Sequence, residues 1–125
     1  MSPAATAAIS ADVVEKFRNI DVACISDAVR GLRLNCFDVT IKPLVPSWKM
    51  CGPALTVRLI PLQDSNVWYR YEHHPATLMD IAKPGDVIVI DQGGRLDVAL
   101  WGGNTATRAK QIGLGTAARR KKRRP

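Results

Sequence analysis

A chain of 125 residues with an apolar share of 46% and a charged share of 23% has the size and make-up of one soluble globular domain, able to bury about two-thirds of its unfolded surface. The net charge of +7 is unevenly spread: Arg119 to Arg124 supply six of the 18 basic side chains, leaving 12 against 11 acidic ones and a nearly neutral body. Cys24, Cys36 and Cys51 argue by number and spacing against a disulfide framework or zinc site and fit a reducing cytoplasm, the N-terminal MSPAATAAIS lacks the parts of a secretory signal, and no apolar run reaches the length of a bilayer span.

In chain order, Ser10 caps a predicted helix starting with Ala11 and Asp12, whose Val13, Phe17 and Ile20, with Val14 beside them, form an apolar face. A second helix is predicted from about Ser26-Asp27 to the breaker Gly31. Pro43, Pro46 and Pro53 then exclude a long helix. The stretch ALTVRLI alternates, with Leu55, Val57 and Leu59 on one side and Thr56 and Arg58 on the other, and predicts a half-buried strand. Residues 63–74 read as a loop leading to a short helix near Ala76 to Ala82. In KPGDVIVID a Pro-Gly turn feeds a continuous apolar strand, Val87 to Ile90, of the kind buried on both faces. A helix from about Asn104 to Ile112 follows, with Ala106, Ala109 and Ile112 on one face, and Gly113 ends it. Strands alternating with helices predict an α/β fold.

The last residues, GLGTAARRKKRRP, admit three readings. GLGTAA has the G-x-G-x-x-A form of a dinucleotide-binding turn, but such a turn follows a strand and opens a helix, with an acidic residue about 20 positions later. Here Gly113 follows a helix, so the match is accidental. RRKKRR resembles a basic nucleic-acid-binding arm. The third reading is a folded domain interrupted at this point.

Three segments in order, ISDAV at Ile25 to Val29, GPALTVRLI at Gly52 to Ile60, and AKPGDVIVIDQGGRLDVALWGGNTATRAKQIGLG from Ala82 to Gly115, resemble the RraA-like family of ribonuclease E activity regulators and class II 4-hydroxy-4-methyl-2-oxoglutarate aldolases. The resemblance implies a swivelling β/β/α domain, spanning residues 10–118 between a flexible N-terminus (1–9) and a basic tail (119–125), and assembly as a homotrimer. It implies a divalent metal, typically magnesium, that polarises the keto oxygen of a 2-oxo acid such as 4-hydroxy-4-methyl-2-oxoglutarate or oxaloacetate. It also implies that the turn matching Gly102, Gly103, Asn104 and Thr105 gives backbone N–H groups to the substrate carboxylate. Elementary physics favours an anion at the same place, because the first N–H groups of a helix lack intrahelical acceptors and the helix dipole is positive there. The plainer reading is a strand-to-helix joint capped by Asn104.

The family continues into a further buried strand and a motif ending in Arg-Asp, whose Asp anchors the metal shell. This chain has TAARRKKRRP instead. The carboxylate is missing from that stretch, no metal ligand or catalytic residue is assigned, and six consecutive cations do not suit a buried strand. The expectation is therefore a family domain incomplete at its C-terminal side, truncated or frameshifted, with a bare sheet edge beside Val87–Ile90 and a tail able to contact nucleic acid without sequence preference.

Other candidates are weaker. Adjacent His73 and His74 diverge in either a strand or a helix, which disfavours shared metal ligation. Asp91 stands where a strand ends, facing a site or making a turn. Asp27 reads as a helix first-turn acid, Arg95 and Asp97 as solvated loop charges, and Trp48, Trp68 and Trp101 as packing residues. Two functions remain open: a metal-dependent cytoplasmic lyase by descent, inactive as this chain alone, or a non-catalytic ribonuclease-regulator-like binding protein.

Overall fold

The computed structural model describes residues 9–34, 36–38, 41–60, 77–95, 97 and 99–120, the last five through their backbone. The chain divides into two compact units, residues 1–37 and 38–125.

The first unit holds two helices. Helix α1 spans Ala11–Arg18. Its cap is the expected one: the Ser10 side chain accepts from the Val13 N–H at 3.4 Å, with Asp12 in the first turn and Lys16 and Arg18 in the last, each suited to the dipole at its end. Lys16 also pairs with Asp12 at 2.7 Å across one turn. Val13, Phe17 and Ile20 are exposed. Helix α2 spans Val22–Val29 after an extended N-cap at Asp21, so it begins four residues before the predicted Ser26. Nothing in Val-Ala-Cys-Ile breaks a helix, and the Ser-Asp pair that suggested a start lies in its interior. The chain leaves α2 through a 3-10 turn, Arg30–Leu32, which ends with Arg33 left-handed at φ 54°.

The second unit is a parallel sheet with helices. Strand β1 is Ala54–Arg58, helix α3 Leu78–Ile81, strand β2 Val87–Asp91, helix α4 Gly103–Ile112 and strand β3 Thr116–Arg120. The strands lie in the order β1-β2-β3, with Ala54 to Arg58 facing Val87 to Asp91 and these facing Thr116 to Arg120, all parallel. The α/β reading therefore holds. Central β2 is buried as its unbroken apolar run requires: Ile88 is fully enclosed, and Val87 and Ile90 are nearly so. Met79 and Ala109 complete the core, and Leu55, Val57, Leu59, Trp101, Ile112 and Leu114 pack around it. The alternating face predicted for β1 is thus the face that meets the core. Ala106, placed on the inner face of α4 by its spacing, is exposed.

Strand β3 corrects the expectation of a bare edge. Parallel pairing is made by main-chain groups, and the Gly115 N–H bonds the Asp86 carbonyl at 2.9 Å, setting the register before the cations begin. The strand runs through Arg120, so the boundary drawn between domain and tail at 118/119 falls inside it.

Two glycines make this geometry possible. A Cβ on Gly52 would lie 2.1 Å from the Gly85 carbonyl oxygen, so only glycine allows the approach to β1 to pass the turn before β2. Gly113 is left-handed at φ 80° and ends α4, while the Leu114 N–H reaches back to the Ala109 carbonyl at 3.0 Å, the bonding of a Schellman stop. Gly113 is thus a helix terminator and no part of a dinucleotide-binding turn.

Candidate functional site

The site is built at the carboxyl end of the sheet. The Gly85 N–H bonds the Gly113 carbonyl at 2.8 Å, which fixes the end of α4 beside the start of β2. A helix of ten residues is about 15 Å long, close to the length of a five-residue strand. With Ala109 in the core, α4 runs back along the sheet and its N-terminus comes to the end where β2 finishes, the end at which parallel α/β sheets bind ligands.

The four predicted residues form that N-terminus. Gly102 is the N-cap, extended at φ −108° and ψ 176°, and α4 begins at Gly103, one residue earlier than predicted. Asn104 is therefore a first-turn residue and does not cap the helix. Gly102 supplies no side-chain acceptor, and the N–H groups of Gly103, Asn104 and Thr105 have no acceptor within the helix. The Ala106 N–H is the first to bond back, to the Gly102 carbonyl at 3.0 Å. Gly102, Gly103 and Asn104 are exposed and Thr105 is half-buried. A Cβ built on Gly102 or Gly103 meets no atom within 4 Å, so no neighbouring protein group demands glycine there and the space above the turn is open. Such an arrangement can receive a carboxylate on several N–H groups at the positive end of a dipole.

Asp91, at the end of β2, makes a turn and an ion pair together: its Oδ1 accepts from the Gly93 N–H at 3.0 Å and its Oδ2 lies 3.5 Å from Arg58 Nε. The residue that sequence reasoning missed is Gln92, which is 4% exposed with its Oε1 enclosed. The available signal was its position, a long polar side chain directly following a strand buried on both faces. Arg95 and Asp97 are exposed as expected but grip each other in a two-point pair of 3.1 and 2.6 Å. The hydrogen bonds from Arg95 hold the Asp97 carboxyl down at about 2, and the same bonds, with the carboxylate charge, raise the Arg95 guanidinium.

Asp27 is exposed and pairs with Arg30 at 3.4 Å, a surface role. Trp101 packs against the core as predicted, whereas Trp48 is exposed. Trp68, His73 and His74 lie outside the described residues. None of the three cysteines is in a disulfide. Among the described residues, no group of three or more His, Cys, Asp and Glu stands close enough to hold a metal ion. No helix among them is long and apolar enough to cross a membrane.

The second unit is thus a parallel α/β unit that presents a glycine-opened helix N-terminus beside its strand ends. The model of the Aldolase/RraA family matches residues 22–117, and the chain belongs to the RraA-like family. It is 37% identical over 103 residues, 82% of its length and 44% of the relative's, to the "Putative 4-hydroxy-4-methyl-2-oxoglutarate aldolase" of Halalkalibacterium halodurans. It is 31% identical over 91 residues, 73% of its length and 14% of the relative's, to protein DlpA of Legionella pneumophila. Among solved structures it resembles an uncharacterized protein from Pseudomonas syringae pv. tomato, with a TM-score of 0.74 and 27% identity over 89% of this chain and 47% of that one. A second, described as a novel cellulase from gut-associated microbes, matches with a TM-score of 0.67 at 20% identity over 94% of this chain and 52% of that one, a likeness of fold alone. The chain thus spans less than half the length of both curated relatives.

Proposed function

We propose that this chain carries the oxo-acid-binding turn of an RraA-like lyase, with the carboxylate of a 2-oxo acid of the 4-hydroxy-4-methyl-2-oxoglutarate or oxaloacetate class seated on the N–H groups of Gly103, Asn104 and Thr105. The observation that carries the reading is the open, uncapped start of α4 at Gly102, in a family with an aldolase-named relative. The glycines allow the anion to come close to the backbone, and the dipole favours its charge. Assembly as a homotrimer belongs to the same proposal.

A specific observation favours the second reading, a protein that binds without turnover. Residues 116–125 contain no acidic side chain, where the family resemblance implies a metal-anchoring Asp. A Lewis acid contributes several kcal/mol to such a cleavage, on the order of a thousandfold in rate, and binding the ground state alone does not replace it.

The two readings separate in one assay: pyruvate release from oxaloacetate and from 4-hydroxy-4-methyl-2-oxoglutarate, with magnesium and with a chelator, alongside calorimetric binding of pyruvate. We expect pyruvate to bind and its release to stay at the spontaneous background. Chelator-sensitive release well above background assigns turnover to this chain and defeats the binding-only reading. Absence of any oxo-acid binding defeats both.

A further inference from the structure

The segment KPLVPSWKM, from Lys42 to Met50, precedes β1 in the second unit, and every residue in it is exposed. Large apolar side chains stand among them: Leu44 is 92% and Trp48 64% exposed, and Val45 and Met50 are exposed with them. Trp48, read from the sequence as a packing residue, faces solvent instead. Its N–H bonds the Val45 carbonyl at 2.9 Å, which folds the segment into a turn with Leu44 just before it and Trp48 closing it. Pro43 and Pro46 have no N–H. Pro43, Pro46 and Trp48 thus bring no backbone donor that needs water. Lys42 and Lys49 lie on either side of Leu44, Val45 and Trp48, and residues 39–63 contain no acidic side chain.

We propose that this loop docks on an anionic phospholipid surface, with Leu44 and Trp48 entering the boundary between headgroups and acyl chains. The charge pattern matches that partner: Lys42 and Lys49 keep their stems along the apolar boundary and their ammonium groups among the headgroups, and an anionic leaflet attracts each nearby cation. Trp48 suits the same depth, because its ring is apolar and its indole N–H is polar. The backbone fits as well. Lipid offers few partners to an exposed N–H, and the two prolines and the Val45–Trp48 bond remove donors from the part of the loop that enters first. Such a loop lies on a membrane without spanning it. It uses none of Gly102 to Thr105, so it stands or falls apart from the oxo-acid reading.

The test is co-sedimentation of the full chain with phosphatidylcholine vesicles, with and without phosphatidylserine. We expect binding to the vesicles that contain phosphatidylserine and far less to the neutral ones. The double change Leu44→Ser and Trp48→Ser should lower that binding by at least about tenfold, since burying one leucine side chain is worth about that much. Lys42→Gln and Lys49→Gln should each cost about fivefold. Arg119 to Arg124 stay in every variant, so these differences report the loop. Val13→Ser with Phe17→Ser, on the exposed residues of α1, should leave binding in place, and circular dichroism checks that all variants fold. Binding that the Leu44 and Trp48 changes do not weaken would overturn the proposal and leave the contact to the basic tail. Absence of binding, equal binding to neutral vesicles, or an equal loss in the α1 variant would overturn it too. So would self-association that the Leu44 and Trp48 changes abolish without any vesicle binding, which would make a second copy the occupant.

Discussion

Arg95 and Asp97 illustrate what a sequence conceals at the scale of single residues. Two opposite charges two positions apart in a loop are easily read as solvated, since nothing in the spacing says that the side chains turn toward each other. Their two-point pairing has a measurable consequence. The Asp97 carboxyl is lowered from 3.8 to about 2, so the folded form holds its proton less tightly than the unfolded one. The pair's contribution is therefore present above the ordinary carboxylate range and fades as pH falls from near 4 toward 2. Both groups are exposed, so the contribution is small. Carbon-detected NMR should find Asp97 titrating near 2, and Arg95→Gln should raise it toward 3.8, a backbone hydrogen bond still holding it somewhat below. An unperturbed midpoint in the parent chain would show that the pair does not persist in solution. Asp91 was legible as a strand-end residue with two possible duties, and it makes the turn while also meeting Arg58. Gln92 escaped notice because polarity alone argues for exposure, yet it is 4% exposed.

Among the elements, legibility followed the strength of the local pattern. Strand β2 is a continuous β-branched run set off by a Pro-Gly turn, which favours a strand buried on both faces over a helix; the alternation in β1 likewise matches its half-buried face. Helix α2 began earlier than Ser26 because a capping residue type is also tolerated inside a helix, so a Ser-Asp pair does not fix a start. Strand β3 was missed for a different reason: side-chain character was used to exclude a strand whose pairing is made by the main chain. The packing implies two stability effects. Ile88→Ala empties the fully enclosed centre of β2 and should cost about 2–5 kcal/mol in urea unfolding. Gly52→Ala places a methyl carbon against the Gly85 carbonyl, and should destabilise more than a typical surface substitution, which stays within about 0.5 kcal/mol. A Gly52→Ala protein as stable as its parent would mean that β1 does not approach the turn before β2 so closely.

At the scale of the whole molecule, the family was legible because three motifs occur in order along most of the chain, and the family model covers the same region. The glycine turn that opens α4 was legible too, within one residue, since glycines between a buried strand and a helix leave few alternatives. The open space and the absence of a side-chain cap at Gly102 are what the structure adds, and no spacing rule states them. The central claim is that the start of α4 receives a carboxylate. The most direct measurement is amide NMR of the full chain titrated with pyruvate, for the parent and for Asn104→Asp. A fixed carboxylate in the first turn should add about 0.3–1 kcal/mol to helix stability through the dipole, yet repel an incoming anion by about 1 kcal/mol or more, a loss of roughly fivefold or greater in affinity. The account predicts saturable shifts centred on the amides of Gly103, Asn104 and Thr105, weakened in Asn104→Asp while that variant stays as stable as the parent or gains stability. Saturable shifts centred elsewhere, or an affinity indifferent to the added charge, would contradict it.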